Sequence, residues 1–285
     1  MSTLAPPRRI PRPLFDPIVP VRYLAAILIV GVTLLPILLV VLGGFRTNGQ
    51  LNTDPVGLPN PWVMDNYIKV ITGDLFWRFL FNSVVIAVGT TIPTVLLGAM
   101  AGYGLSRYSF RGREAIYSLF TIGLLFPLGV AVLPVYLQLR QLHLLESPLG
   151  VIVPQVAFAL PITVIVLRPF MAAIPRELQE AAEIDGASRL GFFWRILLPL
   201  SRPALITVGV LAFVTSWNGY LLPLLVFNDQ NNFTLPLGVA AFQTRYARDT
   251  AAVLAFTTLS IIPALVFFMF LERRIVGGLT GSVKG

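Results

Sequence analysis

The chain has 285 residues, of which 56% are hydrophobic, only 12% are charged and none is a cysteine. Soluble domains carry about 25% charged residues, so this composition excludes an ordinary soluble protein, and the lack of cysteine excludes disulfides and thiol chemistry within the chain. The formal net charge is +8. Because no groove of basic and aromatic residues accompanies it, we expect this charge to meet anionic lipid and no nucleic acid.

Six long stretches of the chain contain no Asp, Glu, Lys, Arg or His, and each has at least 21 residues. About 20 helical residues cross the hydrocarbon core of a bilayer. The stretches are long and do not alternate strictly, which favours helices over a barrel. The sequence therefore predicts an all-α membrane protein with six transmembrane helices, at residues 23–45, 79–106, 115–139, 147–167, 203–228 and 250–271.

Lysine and arginine are distributed unevenly over the segments between these spans. The side that holds both termini carries 15 of them, and the opposite side carries 6. The positive-inside rule then places both termini in the cytoplasm. That side includes a tail at 1–22, predicted to be disordered, a tail at 272–285 and an insertion at 168–202, whereas 46–78 forms the first outer loop.

The insertion at 168–202 is too long for a simple connection, since loops beyond about 15 residues are usually functional or disordered. Pro175 suits the first turn of a helix and Gly186 the position just after its end, which predicts a short helix over 175–185 with one acidic edge. A second helix is predicted from Ser188 to Leu198, ended by Pro199. Its apolar face is predicted to lie on the membrane interface and consists of Leu190, Phe193, Trp194 and Leu197.

Several kinds of chemistry are missing from the sequence. It contains no G-x-x-x-x-G-K-[ST] phosphate loop, and its only lysines are Lys69 and Lys284, so it has no ATPase site of that type. The lone His143 has no partner cluster for a metal. No carboxylate lies within a span, whereas proton-coupled carriers use intramembrane Asp, Glu or His; sodium coupling through backbone carbonyls stays open. We predict a transport subunit that is not an enzyme.

One motif stands inside the insertion. The stretch EAAEIDGASRLGFFWRILLP at 180–199 resembles the EAA motif of bacterial ABC importer permeases, which reads EAA, three residues, Gly, nine residues and I-x-L-P. Further stretches resemble the MalG-type subunit of carbohydrate importers, which has the MetI-like permease fold with a helix–turn–helix coupling insertion. These stretches lie between residues 60 and 285 and include NSVVIAVGTTIPTVLLGAMAGYGLSRYSFRGR, SWNGYLLPLL, FTLPLGVAAF and GGLTGSVKG.

The resemblance implies the permease subunit of an ATP-driven sugar importer in the bacterial inner membrane, with di- or oligosaccharides as cargo. It implies a MalF-like second permease, a dimer of ATPase subunits, an extracytoplasmic or lipid-anchored sugar-binding protein and the lipid bilayer as partners. ATP and Mg²⁺ would be bound by the ATPase, so that this chain itself holds no cofactor. An EAA-type importer for a non-sugar solute remains an alternative, as does a stand-alone secondary transporter.

The resemblance also assigns residues to these partners. The coupling helix would sit in a cleft of the ATPase, through Glu177, Glu180, Ala181, Ala182, Glu183, Asp185, Gly186, Ile196, Leu198 and Pro199. The C-terminal tail would reach between the ATPase subunits, through Gly281, Ser282, Val283, Lys284 and Gly285. An outer loop would enter the cleft of the binding protein, with Asn231, Asn232, Phe233, Thr234, Leu235 and Gln243 as candidates. Trp217 and Asn218 match a W-N pair and are candidates for the pathway, although in the family the sugar contacts within the membrane come mainly from the MalF-like subunit.

Overall fold

The computed structural model describes residues 18–245 and 249–280, and this part of the chain is helical without a strand. Four long helices each contain an apolar segment sufficient to cross a membrane. They are α1 (Ile18–Gly44), α4 (Asp74–Arg107), α7 (Pro148–Ala173) and α13 (Thr250–Thr280).

Two further spans are pairs of helices that meet at a sharp bend. Helix α5 (Arg113–Gly123) meets α6 (Leu128–Gln141) at 101°, and α9 (Arg189–Leu200) meets α10 (Arg202–Trp217) at 80°. With each bent pair taken as one span, the described residues contain six, as the sequence predicts. The short helices are α2 (Asn48–Thr53), α3 (Asp65–Ile71), α8 (Glu177–Ile184), α11 (Leu221–Val226) and α12 (Leu235–Arg245).

Two of the predicted continuous spans are interrupted. The predicted span at 115–139 breaks after Gly123, and the one at 203–228 breaks after Trp217 and resumes at Leu221. A proline follows each break. Pro127 cannot donate a hydrogen bond to the carbonyl of Gly123, the last residue of α5, which favours the end of that helix. Pro223 lies in the first turn of α11, where its missing N–H leaves no helical hydrogen bond unmade. Helix α13, in contrast, continues past the predicted end at 271.

The core of the bundle is built around α4, which packs along α7 and α10, while α13 packs against α1 and α10. At the end of the bundle that carries α8 and α9, here called the insertion end, the buried cluster includes Tyr103, Leu167, Met171, Phe193 and Leu197. At the opposite end, called the loop end, a second buried cluster includes Phe79, Trp217, Leu235, Phe242 and Phe256. These two clusters fix the insertion and the outer loop to the same helix, α4.

Candidate coupling site

The turn between α8 and α9 has the geometry that its sequence predicts. Gly186 has φ +81°, which glycine adopts without steric cost. The N–H of Ala187 donates to the carbonyl of Ala182 at 2.8 Å, and the N–H of Gly186 donates to that of Glu183 at 3.1 Å, the two bonds of a Schellman motif. Ser188 then caps α9 by accepting from the N–H of Gly191 at 3.1 Å. The predicted helix–turn–helix is confirmed.

Helix α9 contains a wide π turn at Phe193–Leu197 and continues to Leu200, beyond Pro199, which was predicted to end it. The π turn comes directly before the proline. A proline has no N–H to donate, and a local change of helical hydrogen bonding lets the helix pass it. Ser201 then forms the bend into α10.

The predicted apolar face of α9 is divided between two environments. Leu190 and Trp194 are 64% and 52% exposed, but Phe193 and Leu197 are buried. The ring of Phe193 stacks on that of Tyr103 of α4, with 5.1 Å between centroids. The expectation that all four residues lie on the membrane interface is therefore wrong for Phe193 and Leu197, because α4 supplies a closer apolar partner.

Most of the residues predicted to dock on an ATPase lie on the surface. The exposed ones are Glu177, Glu180, Ala181, Glu183, Asp185, Gly186 and Pro199, and Ile196 and Leu198 are half-buried. Ala182 is only 4% exposed and belongs to the buried cluster of the insertion end. Its predicted role as a docking surface is therefore corrected, since its small side chain lets α8 approach the bundle. Ile184 lies within the predicted coupling helix but not among the named contact residues, and it is 86% exposed.

Two residues of α4 that hold the insertion escaped the sequence reasoning. The buried guanidinium of Arg107 donates to the carbonyls of Met171 and Ile174, at 2.9 and 2.8 Å, and so binds the end of α7 just before the insertion begins. The hydroxyl of Tyr103 donates to the carbonyl of Arg189 at 3.1 Å. Tyr103 and Arg107 are four residues apart on one helix face, and that spacing was the available signal.

A third contact at the insertion end joins α5 to α7. The guanidinium of Arg168 lies 2.5 Å from the Glu114 carboxylate and 3.9 Å from the centre of the Tyr117 ring. The guanidinium of Arg113 also contacts the Glu114 carboxylate, at 2.9 Å. Because both groups of the ion pair are near the surface, its role is to orient the two helices and not to supply much stability.

At the loop end, the predicted binding-protein residues are mostly held by the chain itself. Thr234 and Leu235 are buried, so these two do not form the predicted contact surface, and Phe233 is half-buried against Phe79. Asn231 is exposed, but its side chain accepts a hydrogen bond from Arg78. Asn232 donates to a carboxylate oxygen of Glu146 at 3.1 Å. Only Asn231 and Gln243 remain exposed among the six predicted residues.

Glu146 organises this loop. It has φ +58°, and its carboxylate accepts hydrogen bonds from the N–H and side-chain amide of Asn228, at 2.6 and 2.9 Å, and from the N–H of Asp229 at 3.3 Å. Burial raises the pKa of Glu146, but the hydrogen bonds from Asn228, Asn232 and Asp229 outweigh it, and the pKa lies below its usual value. Glu146 therefore ties the loop before α7 to the loop that follows α11.

The two predicted pathway residues are not among the residues that line the cavity formed by their neighbours. Trp217 is buried and stacks on Phe213, and the side chain of Asn218 donates to the carbonyl of Val214 at 2.9 Å. Their neighbours Thr215, Ser216, Gly219 and Tyr220 instead line a cavity of about 360 Å³ between α4, α7 and α10. The predicted tail residues Gly281–Gly285 lie outside the described residues.

Comparison with protein families matches residues 94–279 to the binding-protein-dependent transport system inner membrane component family. The chain belongs to this family. The matched range contains the whole insertion, so α8 and α9 are part of what defines this permease. It is a membrane-spanning subunit of an ABC importer, and the alternative of a stand-alone secondary transporter is thereby removed.

Individual relatives extend the match to nearly the whole permease. It is 35% identical to the diacetylchitobiose uptake system permease NgcG of Streptomyces coelicolor, over 87% of this chain and 83% of the relative. It is 34% identical to the arabinooligosaccharides transport system permease AraQ of Halalkalibacterium halodurans, over 89% of this chain and 92% of the relative. Both proteins are named as permeases of carbohydrate uptake systems.

The fold is shared with a solved bacterial ABC transporter that imports the acidic polysaccharide alginate. One chain of that structure superposes with a TM-score of 0.77, covering 92% of this permease and 99% of that chain at 22% identity. The predicted all-α importer-permease fold is confirmed.

Proposed function

We propose that this permease forms half of the translocation pathway of an ATP-driven importer for di- or oligosaccharides, and that α8 and α9 transmit the closure of a partner ATPase dimer to the bundle. The named cargoes of the two relatives, diacetylchitobiose and arabinooligosaccharides, support a sugar. The observation that carries the coupling role is the exposure of Ile184 on α8.

Ile184 is surrounded in sequence by the exposed carboxylates of Glu180, Glu183 and Asp185. A large apolar side chain that is 86% exposed among acidic groups fits neither lipid nor water well. An apolar anchor with a charged rim is typical of a protein interface. The partner that fits this surface has an apolar pocket with basic residues around it.

The path from this surface into the bundle is continuous. Ala182 lies in the buried cluster under α8, Phe193 packs on α4, and Arg107 binds the end of α7. A displacement of α8 is therefore passed to α4 and α7, and through the bend at Ser201 to α10. Such a change between inward-facing and outward-facing arrangements is a shift between two packed states.

The remaining partners of this proposal are those that the family resemblance implies. The insertion end, with its arginines, faces the cytoplasm together with both termini, and Gly281–Gly285 contribute a second contact to the ATPase. The ATPase binds ATP and Mg²⁺, and this chain needs no cofactor of its own. A MalF-like second permease completes the pathway, and an extracytoplasmic sugar-binding protein meets the loop end near Asn231 and Gln243.

The test uses the assembled importer, made of this chain, the second permease, the ATPase and the binding protein, in lipid nanodiscs. We expect Ile184→Asp to lower both ATPase co-purification and binding-protein-stimulated ATP hydrolysis by at least tenfold, because burying such a side chain contributes about 1.5–3 kcal/mol and about 1.4 kcal/mol is tenfold in affinity. Val56→Asp is the control, since Val56 is also exposed, at 68%, but lies at the loop end. Wild-type association and sugar uptake in the Ile184 variant would refute the coupling role.

The cargo is tested separately on the extracytoplasmic binding protein that works with this permease. We expect tight binding of a di- or oligosaccharide such as diacetylchitobiose or an arabinooligosaccharide. Selective binding of an amino acid, peptide or phosphate with no response to sugars would instead support the non-sugar alternative.

A further inference from the structure

The cavity of about 360 Å³ between α4, α7 and α10 lies within the membrane-spanning part of the bundle. Its volume falls within the range of small-molecule pockets. Gln155, on its wall, stands seven residues after the first residue of α7, which places it about 10 Å along the helix from the loop end. A carboxamide at this depth needs an explanation, because polar groups in a membrane interior are costly unless they are paired.

The carboxamide of Gln155 is held in a fixed orientation. Its Oε1 atom accepts a hydrogen bond from the hydroxyl of Thr90 of α4, at 2.9 Å, and another from the hydroxyl of Ser216 of α10, at 2.5 Å. Both acceptor positions of the oxygen are therefore occupied, and the amide nitrogen is directed away from both hydroxyls. Interhelical bonds of this kind hold helices together in membranes, which accounts for the oxygen and leaves the nitrogen unexplained.

The Nε2 atom of Gln155 forms no hydrogen bond to another residue within 18–245 or 249–280. A Cβ atom at Gly219 would lie only 2.8 Å from it, so the glycine leaves room for this amide beside the break between α10 and α11. Two N–H donors thus remain available at the wall of an otherwise apolar cavity. Such donors are satisfied by an acceptor that enters the cavity.

The other lining residues narrow the chemistry of that acceptor. The cavity is lined by apolar side chains with the hydroxyl residues Thr163, Thr215 and Tyr220, and none of its lining residues is charged. A charged cargo group would be desolvated there without a counter-charge, which is strongly unfavourable. A neutral molecule with many hydroxyls offers acceptors for Nε2 and apolar ring faces for Phe158, which also lines the cavity.

We infer that this permease contributes its own sugar-binding subsite to the pathway, with the amide of Gln155 as the donor to a hydroxyl of a neutral saccharide. This inference rests on the proposed function, since it names a cargo contact of that importer. It assigns to this chain a contact that the family resemblance places mainly in the second permease. It also predicts that anionic sugars are excluded at this level of the pathway.

The first test is the number of sugar molecules imported per ATP hydrolysed, measured in proteoliposomes with the assembled importer and a neutral disaccharide that its binding protein accepts. Gln155→Glu keeps oxygens for Thr90 and Ser216 but removes the donor, and Gln155→Leu removes both functions. We expect sugar transported per ATP to fall about tenfold in both variants, the effect of losing a buried hydrogen bond of about 1.4 kcal/mol. Gln138→Leu on α6, whose side chain is exposed, is the matched control.

A second test does not depend on Gln155 variants that assemble. Because the chain has no cysteine, Thr215→Cys introduces the only thiol of this subunit, at the cavity wall. We expect the disaccharide, added with the binding protein and ATP, to slow maleimide labelling of this thiol at least threefold. Val214→Cys, exposed on the same helix but outside the cavity lining, should show no protection.

The outcomes separate this inference from the function on which it rests. If the wild-type importer moves no neutral sugar, the proposed function fails and the subsite fails with it. If the wild type imports the sugar, but the Gln155 variants keep their transport stoichiometry or the Thr215→Cys thiol is not protected, the amide is only a packing contact and the subsite alone is refuted.

Discussion

At the scale of single residues, the sequence is most informative where the structure depends on neighbours along the chain. The left-handed conformation of Gly186 and the cap at Ser188 are local features, and both were readable from residue type and spacing. The burial of Ala182 and Phe193 was not readable, because it depends on residues far away in the sequence, such as Tyr103 of α4 for Phe193. The role of Arg107 could not be predicted from the sequence for the same reason, since its acceptors are backbone carbonyls of α7 that carry no sequence signature.

Gly186 offers a test at this scale. A β-branched residue at φ +81° costs about 1–2 kcal/mol, so Gly186→Val should weaken ATPase association about five- to thirtyfold, measured by co-purification at graded ATPase concentration. Gly186→Asn is the control, because asparagine tolerates the left-handed region. An equal loss in both variants would mean that backbone conformation is not the reason for the glycine.

Glu146 gives a pH dependence at the loop end. Its native pKa is lowered, so the folded state favours the carboxylate, and the stabilisation of the loop is present above the ordinary value of about 4.3 and is lost as the pH falls through the lowered pKa. We expect the protection factors of the amides of Asn228 and Asp229 in hydrogen exchange to fall only at such acidic pH. In Glu146→Gln they should be low at every pH, and high protection in that variant at neutral pH would contradict the role of the charge.

At the scale of helices, proline position alone did not predict the breaks. Pro36, Pro93, Pro161 and Pro263 remain inside continuous helices, whereas Pro127 and Pro223 follow breaks. A proline in the interior of a helix removes one hydrogen bond, and neighbouring helices decide whether the helix continues past it. The sequence therefore predicts where a span lies better than whether it is straight.

Helix α9 depends on a single anchoring side chain. Phe193 is buried against Tyr103, and its replacement by alanine typically costs about 3–5 kcal/mol. We expect Phe193→Ala to lower the temperature at which the assembled importer loses ATPase coupling and to expose the insertion to trypsin. Trp194→Ala removes a neighbouring ring that is 52% exposed and should have little effect. Similar behaviour of the two variants would show that α9 is not fixed through α4.

At the scale of the whole molecule, the described spans between their charged ends contain no Asp, Glu or His, so a proton pathway lacks its usual groups. We expect sugar uptake by proteoliposomes to require ATP and to continue unchanged when a protonophore dissipates the pH gradient. The control is a proton-coupled sugar carrier in the same lipids, which should stop. A collapse of uptake at constant ATP concentration would indicate ion coupling instead.

Helices α9 and α10 meet at 80° at Ser201, so a displacement of α9 would turn α10 about this bend. Helix α10, which crosses the membrane, has 16 residues and is about 24 Å long. A rotation of α10 by about 10° at this bend would move its far end by about 4 Å, given its length. Ser216 lies at that far end, 2.5 Å from Gln155, so a rotation of this size would break the hydrogen bond between the two residues. The same rotation of α9 and α10 would then both respond to the closure of the ATPase and release the bound cargo.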